Sequence, residues 1–400
     1  MSRLKLILIT NMLIVLLGCE EVNKQSKGNF ITVNVTANYP KKELVLQDFL
    51  DVEYISLETT EEFLTSASIQ AITKDFLLFK EDNRHFSGKI SFFDRQGKGL
   101  RTFDRKGQSG KEYINALRVV LDEENKEIFV NSHLSKKVLV YDWMGNFKRS
   151  FNQKENCYYD QIENFDGDHL ICHDGSFSLS NPGKKRNSFM LVSKQDGNIT
   201  EISIPYKDNE RKLTVMVQKT DQGNLISSIF NKPLIPYEDS WLLMEPSSDT
   251  IYRYTQDQMM QPFIVRTPSI QSMETEIFLF PGILTDRYYF MQTVRKEYDF
   301  ATDKGFPTKE LVYDKQENTI FECTIYNNDF KDKKPISLVY EIPIPPVIVN
   351  KNEIAFTKRL EAPELVEAYK QGQLKGKLKE IAAELDEESN PVIMLAKYKK

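Results

Sequence analysis

Two stretches of this chain, 48 residues apart, repeat one another. Asn83, His85, Ser87, Lys89 and Asp94 in residues 83–94 occupy the same places as Asn131, His133, Ser135, Lys137 and Asp142 in residues 131–142, and the apolar positions match in kind. Each copy runs into a Gly- or Asn-bearing turn and a further apolar run, at 100–103 and 147–151. Weaker copies of the strand–turn–strand unit follow at 189–198, 251–258 and 311–318. Short runs of Val, Ile, Phe and Tyr bounded by Gly, Asn and Asp predict hairpins, because those turn residues tolerate positive φ. A lone four-stranded sheet leaves its edges and one face open to water. Repeats of roughly 40–50 residues close that gap by stacking radially, each blade packing on the next. The alternative is an open pair of stacked sheets.

Five units begin their third strands near Ile90, Val138, Phe189, Ile251 and Leu311. Residues 347–356 and the two chain ends must furnish a sixth. Residues 52–57 could pair with 392–396 as the latch that closes the ring. The expected fold is therefore all-β, a six-bladed β-propeller over residues 31–400 with a closing strand at 391–398. One segment breaks the pattern. Leu374, Leu378, Ile381, Ala382 and Leu385 fall on one face of a helix. This predicts an amphipathic helix over 363–385, started by Pro363, broken or kinked at Gly372 and Gly376, and packed on the propeller rim.

The first residues read as an address. Arg3 and Lys5 precede an apolar stretch at 4–17 that is too short for the roughly 20 residues of a membrane-spanning helix. It has the size of a secretory signal core. The stretch ends in Leu16-Leu17-Gly18-Cys19, which resembles a bacterial lipobox. The resemblance implies a signal peptide at 1–18, lipidation of Cys19, a tether at 19–30, and a partner in the membrane itself. Glu20 and Glu21 follow at once, similar to the export signals of surface lipoproteins in Bacteroidetes. An outer-membrane lipoprotein facing outward is expected, with a periplasm-facing anchor as the alternative. The net charge is −5 and the pI near 5.7, which argues against a nucleic-acid partner. Cys157, Cys172 and Cys323 remain after the lipidated cysteine. That is an odd number, so at least one thiol stays free; Cys157 and Cys172 are the only close pair in sequence.

The chain resembles the six-bladed β-propeller lipoproteins of gut Bacteroidetes, related in shape to NHL and TolB-like propellers. The lipobox carries the resemblance, with the Phe92-Phe93-Asp94-Arg95-Gln96-Gly97-Lys98 blade turn and the tail from Leu365 to Leu395. It covers the mature chain. The family often shows Gly-x-Gly-Pro-Gly-Glu-Tyr after its first blade; here only Gly107, Glu112 and Tyr113 of that pattern remain. Most of the family has no assigned activity.

No nucleophile elbow, zinc-protease helix motif, phosphate-binding loop or Cys-x-x-Cys occurs. No catalytic residue, metal ligand or cofactor is therefore assigned. The expected role is a non-catalytic binding or scaffolding propeller with a glycan or protein ligand. A propeller enzyme, such as a lactonase-like hydrolase or polysaccharide lyase, is the alternative. Of four histidines, His85 and His133 share one repeat position, and His173 is expected in a comparable loop after its strand. Long insertions holding Lys184, Lys185 and Arg186, and Arg295 and Tyr298, are expected on the same face. Together they would offer charge and rings to an anionic or sugar-like ligand, although turn capping and a hydrophobic plug would also explain them. Residues 169–173 hold two histidines and Cys172, but strand alternation sends Cys172 and His173 to opposite faces.

Overall fold

A computed structural model describes residues 30–64, 68–81, 88–176, 185–206, 211–339 and 353–399. Six sheets stand around an axis. Blade 1 comprises Ser68–Ile72, Phe76–Lys80, Ile90–Asp94 and Gly99–Phe103; blade 2, Arg118–Asp122, Glu127–Ser132, Lys137–Asp142 and Phe147–Asn152; blade 3, Tyr159–Asn164, His169–Asp174, Phe189–Ser193 and Ile199–Ile202. Blade 4 comprises Leu234–Tyr237, Ser240–Leu243, Thr250–Thr255 and Met260–Thr267, and blade 5 Ile277–Leu284, Tyr288–Arg295, Thr308–Asp314 and Thr319–Tyr326. Blade 6 joins both ends of the chain. Its described strands, inside to outside, are Ile354–Leu360, Val392–Tyr398 and Leu50–Ser56. Ile393 lies opposite Ile55 and Leu395 opposite Glu53, which is the latch the sequence suggests. Part of the other stretch expected to complete this blade, 347–352, falls outside the described residues.

Burial explains why these runs become strands. In blade 2 every residue of the innermost two strands is buried, while the outermost strand is mostly half-exposed. Inner strands are covered on both faces by neighbouring blades, so their sequence is a continuous apolar run rather than an alternation. One apolar cluster fills each of the six seams between blades. The seam between blade 6 and blade 1 holds Ile55, Ile393 and Leu395 against Ile69, Leu77 and Phe93. The repeat itself encodes the turns. Oδ1 of Asp94 accepts from the amides of Gln96 and Lys98 at 2.9 and 2.8 Å, and Oδ1 of Asp142 accepts from Met144 and Asn146 at 2.8 and 2.9 Å.

The N-terminal segment forms a belt that the repeat does not show. Ile31–Asn34 runs parallel to the outer strand of blade 4, and Lys41–Val45 parallel to the outer strand of blade 5. Each covers an edge that would otherwise offer unpaired amides. The chain then enters blade 6 and begins blade 1.

The helix expected at 363–385 is broken where Gly372 and Gly376 suggest, into two. Ala362–Lys370 and Gly376–Ala382 are separated by a turn in which Gly372 has φ +67°, and Gly376 has φ +53°. Leu365, Leu374, Leu378 and Ala382 are buried against the blade 5–6 seam. No helix among the described residues is long and apolar enough to cross a membrane.

Candidate functional site

Antiparallel order within the blades sorts the connections onto two faces. First-to-second and third-to-fourth strand turns lie on one face and are tight. Second-to-third strand loops and blade-to-blade connectors lie on the other. Among the described residues, three excursions with their own secondary structure rise on this loop face. It carries the helical pair of blade 6, the hairpin Val215–Thr220/Gly223–Ser228 between blades 3 and 4, and the small pair Tyr298–Asp299/Lys304–Gly305 in blade 5.

His133 sits on this face in the second-to-third strand loop of blade 2. Its ring packs edge-on against Tyr158, centroids 4.5 Å apart, and Lys136 Nζ is 3.4 Å from Nε2. Burial, with help from Lys136, pulls its pKa below the usual histidine value. His173 is not in a loop. It is the penultimate residue of its strand, opposite Phe189, because strand pairing continues to Asp174. Its Nδ1 lies 2.7 Å from Asp160 Oδ1, and its ring packs on Phe189. Cys172, next to it, is fully buried on the other side. His85 and Lys184 lie outside the described residues. Among the described residues no cluster of three His, Cys, Asp or Glu side chains could hold a metal ion. All three remaining cysteines are free and buried.

The basic loop of blade 3 is tied down. Lys185 Nζ donates to the Tyr206 carbonyl at 2.8 Å and lies over that ring. Arg186 pairs with Asp174 and donates to Ser176 Oγ at 2.6 Å. In blade 5, Arg295 Nε pairs with Glu297 at 2.5 Å. Tyr298 packs edge-on against Phe300 and at a tilt against Phe306, each 4.9 Å away, and donates to Asp303. Among the described residues, no hydrogen bond, ion pair or ring contact joins Arg295 or Tyr298 to His133 or His173. The structure thus gathers His133 with Tyr158, and Lys185 with Tyr206, but not one pocket built from all of them.

A cleft that single-residue reading of the sequence passes over lies between these groups. It has a volume of about 380 Å3 and is lined by Arg211, Lys212, Lys219 and Lys296, with Glu276 among them. Val215 and Val217 of the hairpin form its apolar wall. Its sequence signal is present: Arg211-Lys212, then alternating Val215-x-Val217-x-Lys219 and a Gln222-Gly223-Asn224 turn. A larger cavity, about 790 Å3, opens on the opposite face beneath Asp48, Phe49, Lys397 and Lys399. Its lining balances acids against bases and is walled by both chain ends, so it belongs to ring closure.

Two further groups escape motif reading. Arg118, Glu163 and Lys232 are buried charges from the inner regions of blades 2, 3 and 4. Burial pushes the Glu163 carboxyl up and the Lys232 ammonium down, each opposed by the charge of the other. The second is the loop retaining Gly107, Glu112 and Tyr113. A Cβ on Gly107 would lie 2.1 Å from the Glu112 carboxylate. Glu112 accepts from the Ser109 amide, and the fully buried Tyr113 donates to the Gly88 carbonyl at 2.5 Å. These three residues brace the blade 1–2 connector.

The family model described as a domain of unknown function, DUF4934, matches residues 30–397. The chain belongs to the DUF4934 family. Among solved structures, this DUF4934 chain is similar to a Bacteroides fragilis protein described as exported, solved at 2.60 Å. The two are 14% identical with a TM-score of 0.60, covering 90% of this chain and 99% of that one. A Bacteroides vulgatus member of the DUF4221 family is 9% identical with a TM-score of 0.48, covering 88% of this chain and 99% of that one. The first likeness shows the propeller fold. No curated protein matches the chain.

Proposed function

We propose that this DUF4934 propeller is an envelope-anchored binding protein whose loop face holds a glycan or protein ligand without turning it over. The observation that carries the reading is the asymmetry of the two faces. One carries tight turns and the cavity at the chain ends, while the hairpin, the small blade 5 pair and the helical pair all rise from the other. Binding groups concentrate on loops that a packed scaffold is free to elaborate. The lipobox at Cys19 and the acidic residues after it support attachment to the outer membrane, facing outward. The kinship of shape with NHL and TolB-like propellers belongs to this same reading.

Two experiments test it. A panel of glycans and envelope proteins is screened against the mature chain, with mass spectrometry of every bound ligand afterwards. A ligand recovered unchanged supports binding; one recovered cleaved or rearranged at a catalytic rate overturns it. Membrane fractionation of Cys19→Ser should move the protein to the soluble fraction, because two or more acyl chains hold stably where none can. A variant that stays on membranes through a salt wash would refute the anchor.

A further inference from the structure

We infer that the cleft between the Val215–Ser228 hairpin and blade 5 binds a small organic anion with an aliphatic body. Its charged head would meet Arg211, Lys212 and Lys296, and its chain would lie along Val215 and Val217. This rests on the binding reading above and names the ligand class for one part of that face.

The hairpin's register decides which side of it faces the cleft. Val215, Val217 and Lys219 pair with Ser228, Ile226 and Asn224, so these six side chains share one side. Val215, Val217, Lys219 and Asn224 of that set line the cleft. The hairpin therefore turns a β-branched stripe toward the basic floor. Val217 and Ile226 are exposed, apolar surface on a projecting element that nothing among the described residues covers.

Charge in the cleft is unbalanced. Among the described residues its lining holds four cations and one carboxylate, that of Glu276, in a chain whose net charge is −5. Glu276 is shared, with Lys212 Nζ at 3.4 Å and Lys296 Nζ at 3.8 Å. Burial pulls the Lys296 ammonium below its usual pKa, and the proximity of Lys212 adds to this. Arg211 donates through Nη2 to the Ser176 carbonyl at 3.3 Å, while its Nε is buried with no hydrogen-bond partner among the described residues. An anion entering here would gain charge-assisted bonds and relieve the mutual repulsion of the lysines.

Size and wall chemistry choose among anions. At about 30 Å3 per water molecule, the cleft holds the space of roughly a dozen waters, too much for a bare inorganic ion to fill. It lies within the range of small-molecule sites, roughly 300–1,000 Å3. Its lining contains no aromatic ring on which a sugar would stack. Aliphatic walls favour an aliphatic body, and the head can be a carboxylate or a sulfate.

Calorimetry on the mature chain with octanoate, octyl sulfate, octanol and inorganic phosphate tests this, all below micellar concentration. One octanoate or octyl sulfate should bind per chain, about tenfold or more tighter than phosphate or octanol, the scale of one charged hydrogen bond. The relative strength of the two octyl anions identifies the preferred head. Lys212→Gln should weaken the octyl anions about tenfold and leave octanol unchanged; Val217→Ser should weaken the octyl anions and leave phosphate unchanged. Both residues are partly or largely exposed, and the melting temperature of each variant checks that it folds. Octyl anions binding no better than phosphate or octanol, or not at all, would overturn the inference. Should the octyl anions bind neither variant nor wild type while a screened glycan or protein binds the wild type, the cleft assignment fails and the binding propeller stands.

Discussion

Gly97 and Ser56 touch across the closing seam of the ring. Gly97, at φ +89° in the last turn of blade 1, is packed so tightly that an added Cβ would lie 2.0 Å from the Ser56 carbonyl oxygen. Its own carbonyl accepts from the Glu58 amide at 2.8 Å. The same contact recurs between later blades, where Gly145 abuts Phe103 and Gly197 abuts Phe151. In each pair a turn glycine of one blade rests on the outer strand, or the end of the outer strand, of the blade before it. For blade 1 the blade before it is blade 6, so the recurrence itself shows that the ring is closed.

Gly97→Ala should therefore cost more than positive φ alone. Gly372, at φ +67° with nothing near its Cβ position, provides the control. Gly372→Ala is expected to cost about 1 kcal/mol. Gly97→Ala should cost about 2 kcal/mol more, because backbone must move at the seam. Equal losses in urea unfolding would contradict the tight closure.

Removing the latch should do more. Val392–Tyr398 is the middle strand of the three described in blade 6, paired to Ile354–Leu360 on one side and Leu50–Ser56 on the other. Asn390 just before it donates through Nδ2 to the carbonyls of Glu58 and Phe63, both at 2.7 Å. Deleting 390–400 leaves two facing strands without partners and opens two seams. A broad, weakly cooperative melt is expected by calorimetry, and a sharp transition at the wild-type temperature would refute closure by both ends.

The ring was legible because its repeat carries its own turn chemistry: Asp94 and Asp142 each cap a turn whose glycine must take positive φ. The latch was legible because two apolar runs at opposite ends of the chain had no other partners. The belt was not, since Ile31–Asn34 and Lys41–Val45 are short and add parallel to outer strands without a turn to announce them. At the site, the sequence marked histidines and basic loops, yet Lys185, Arg186 and Arg295 are held by Tyr206, Asp174 and Glu297. The cleft at Lys212 and Lys296 stayed hidden for the opposite reason. Its cations stand 84 residues apart in the sequence and meet only because a blade-to-blade connector and a second-to-third strand loop share a face.

Asp314 ties the belt to blade 5 and should set the acid limit of stability. Its buried carboxylate accepts from Lys42 Nζ at 2.8 Å and Arg287 Nη2 at 2.9 Å, with the amides of Gln316 and Glu317 alongside. Burial alone would raise its pKa, but these donors outweigh burial and hold it well below the ordinary 3.8. A depressed carboxyl contributes stability that is fully present above the unfolded value and is lost as pH falls below it. Asp314→Asn should cost about 1–3 kcal/mol at pH 7. It should also flatten the fall in stability below about pH 4. An acid limb as steep as that of the wild type would contradict the assignment.

The buried charges of blades 2 to 4 make the opposite kind of prediction. Arg118 keeps its proton at any accessible pH, and its Nε donates to the Asp160 carbonyl at 2.9 Å. Glu163 attracts Lys232, whereas Arg118 repels it. Burial pulls the Lys232 ammonium below its ordinary 10.5, with Glu163 only partly restoring it. Unfolding below pH 10.5 then takes up a proton at Lys232, so the wild type gains stability as the pH rises toward that value. Lys232→Met keeps similar bulk and removes the charge. Replacing a buried ion by a packed apolar group is often neutral or stabilising, so a gain on the order of 1 kcal/mol is expected at pH 7. The gain should shrink as the pH rises from 7 toward 10.5, because the wild type sheds the penalty by losing the proton. Urea unfolding of both proteins across that range reads the difference directly. A Met variant less stable than the wild type at pH 7, by an amount that does not change with pH, would mean that the ammonium is held charged and stabilising.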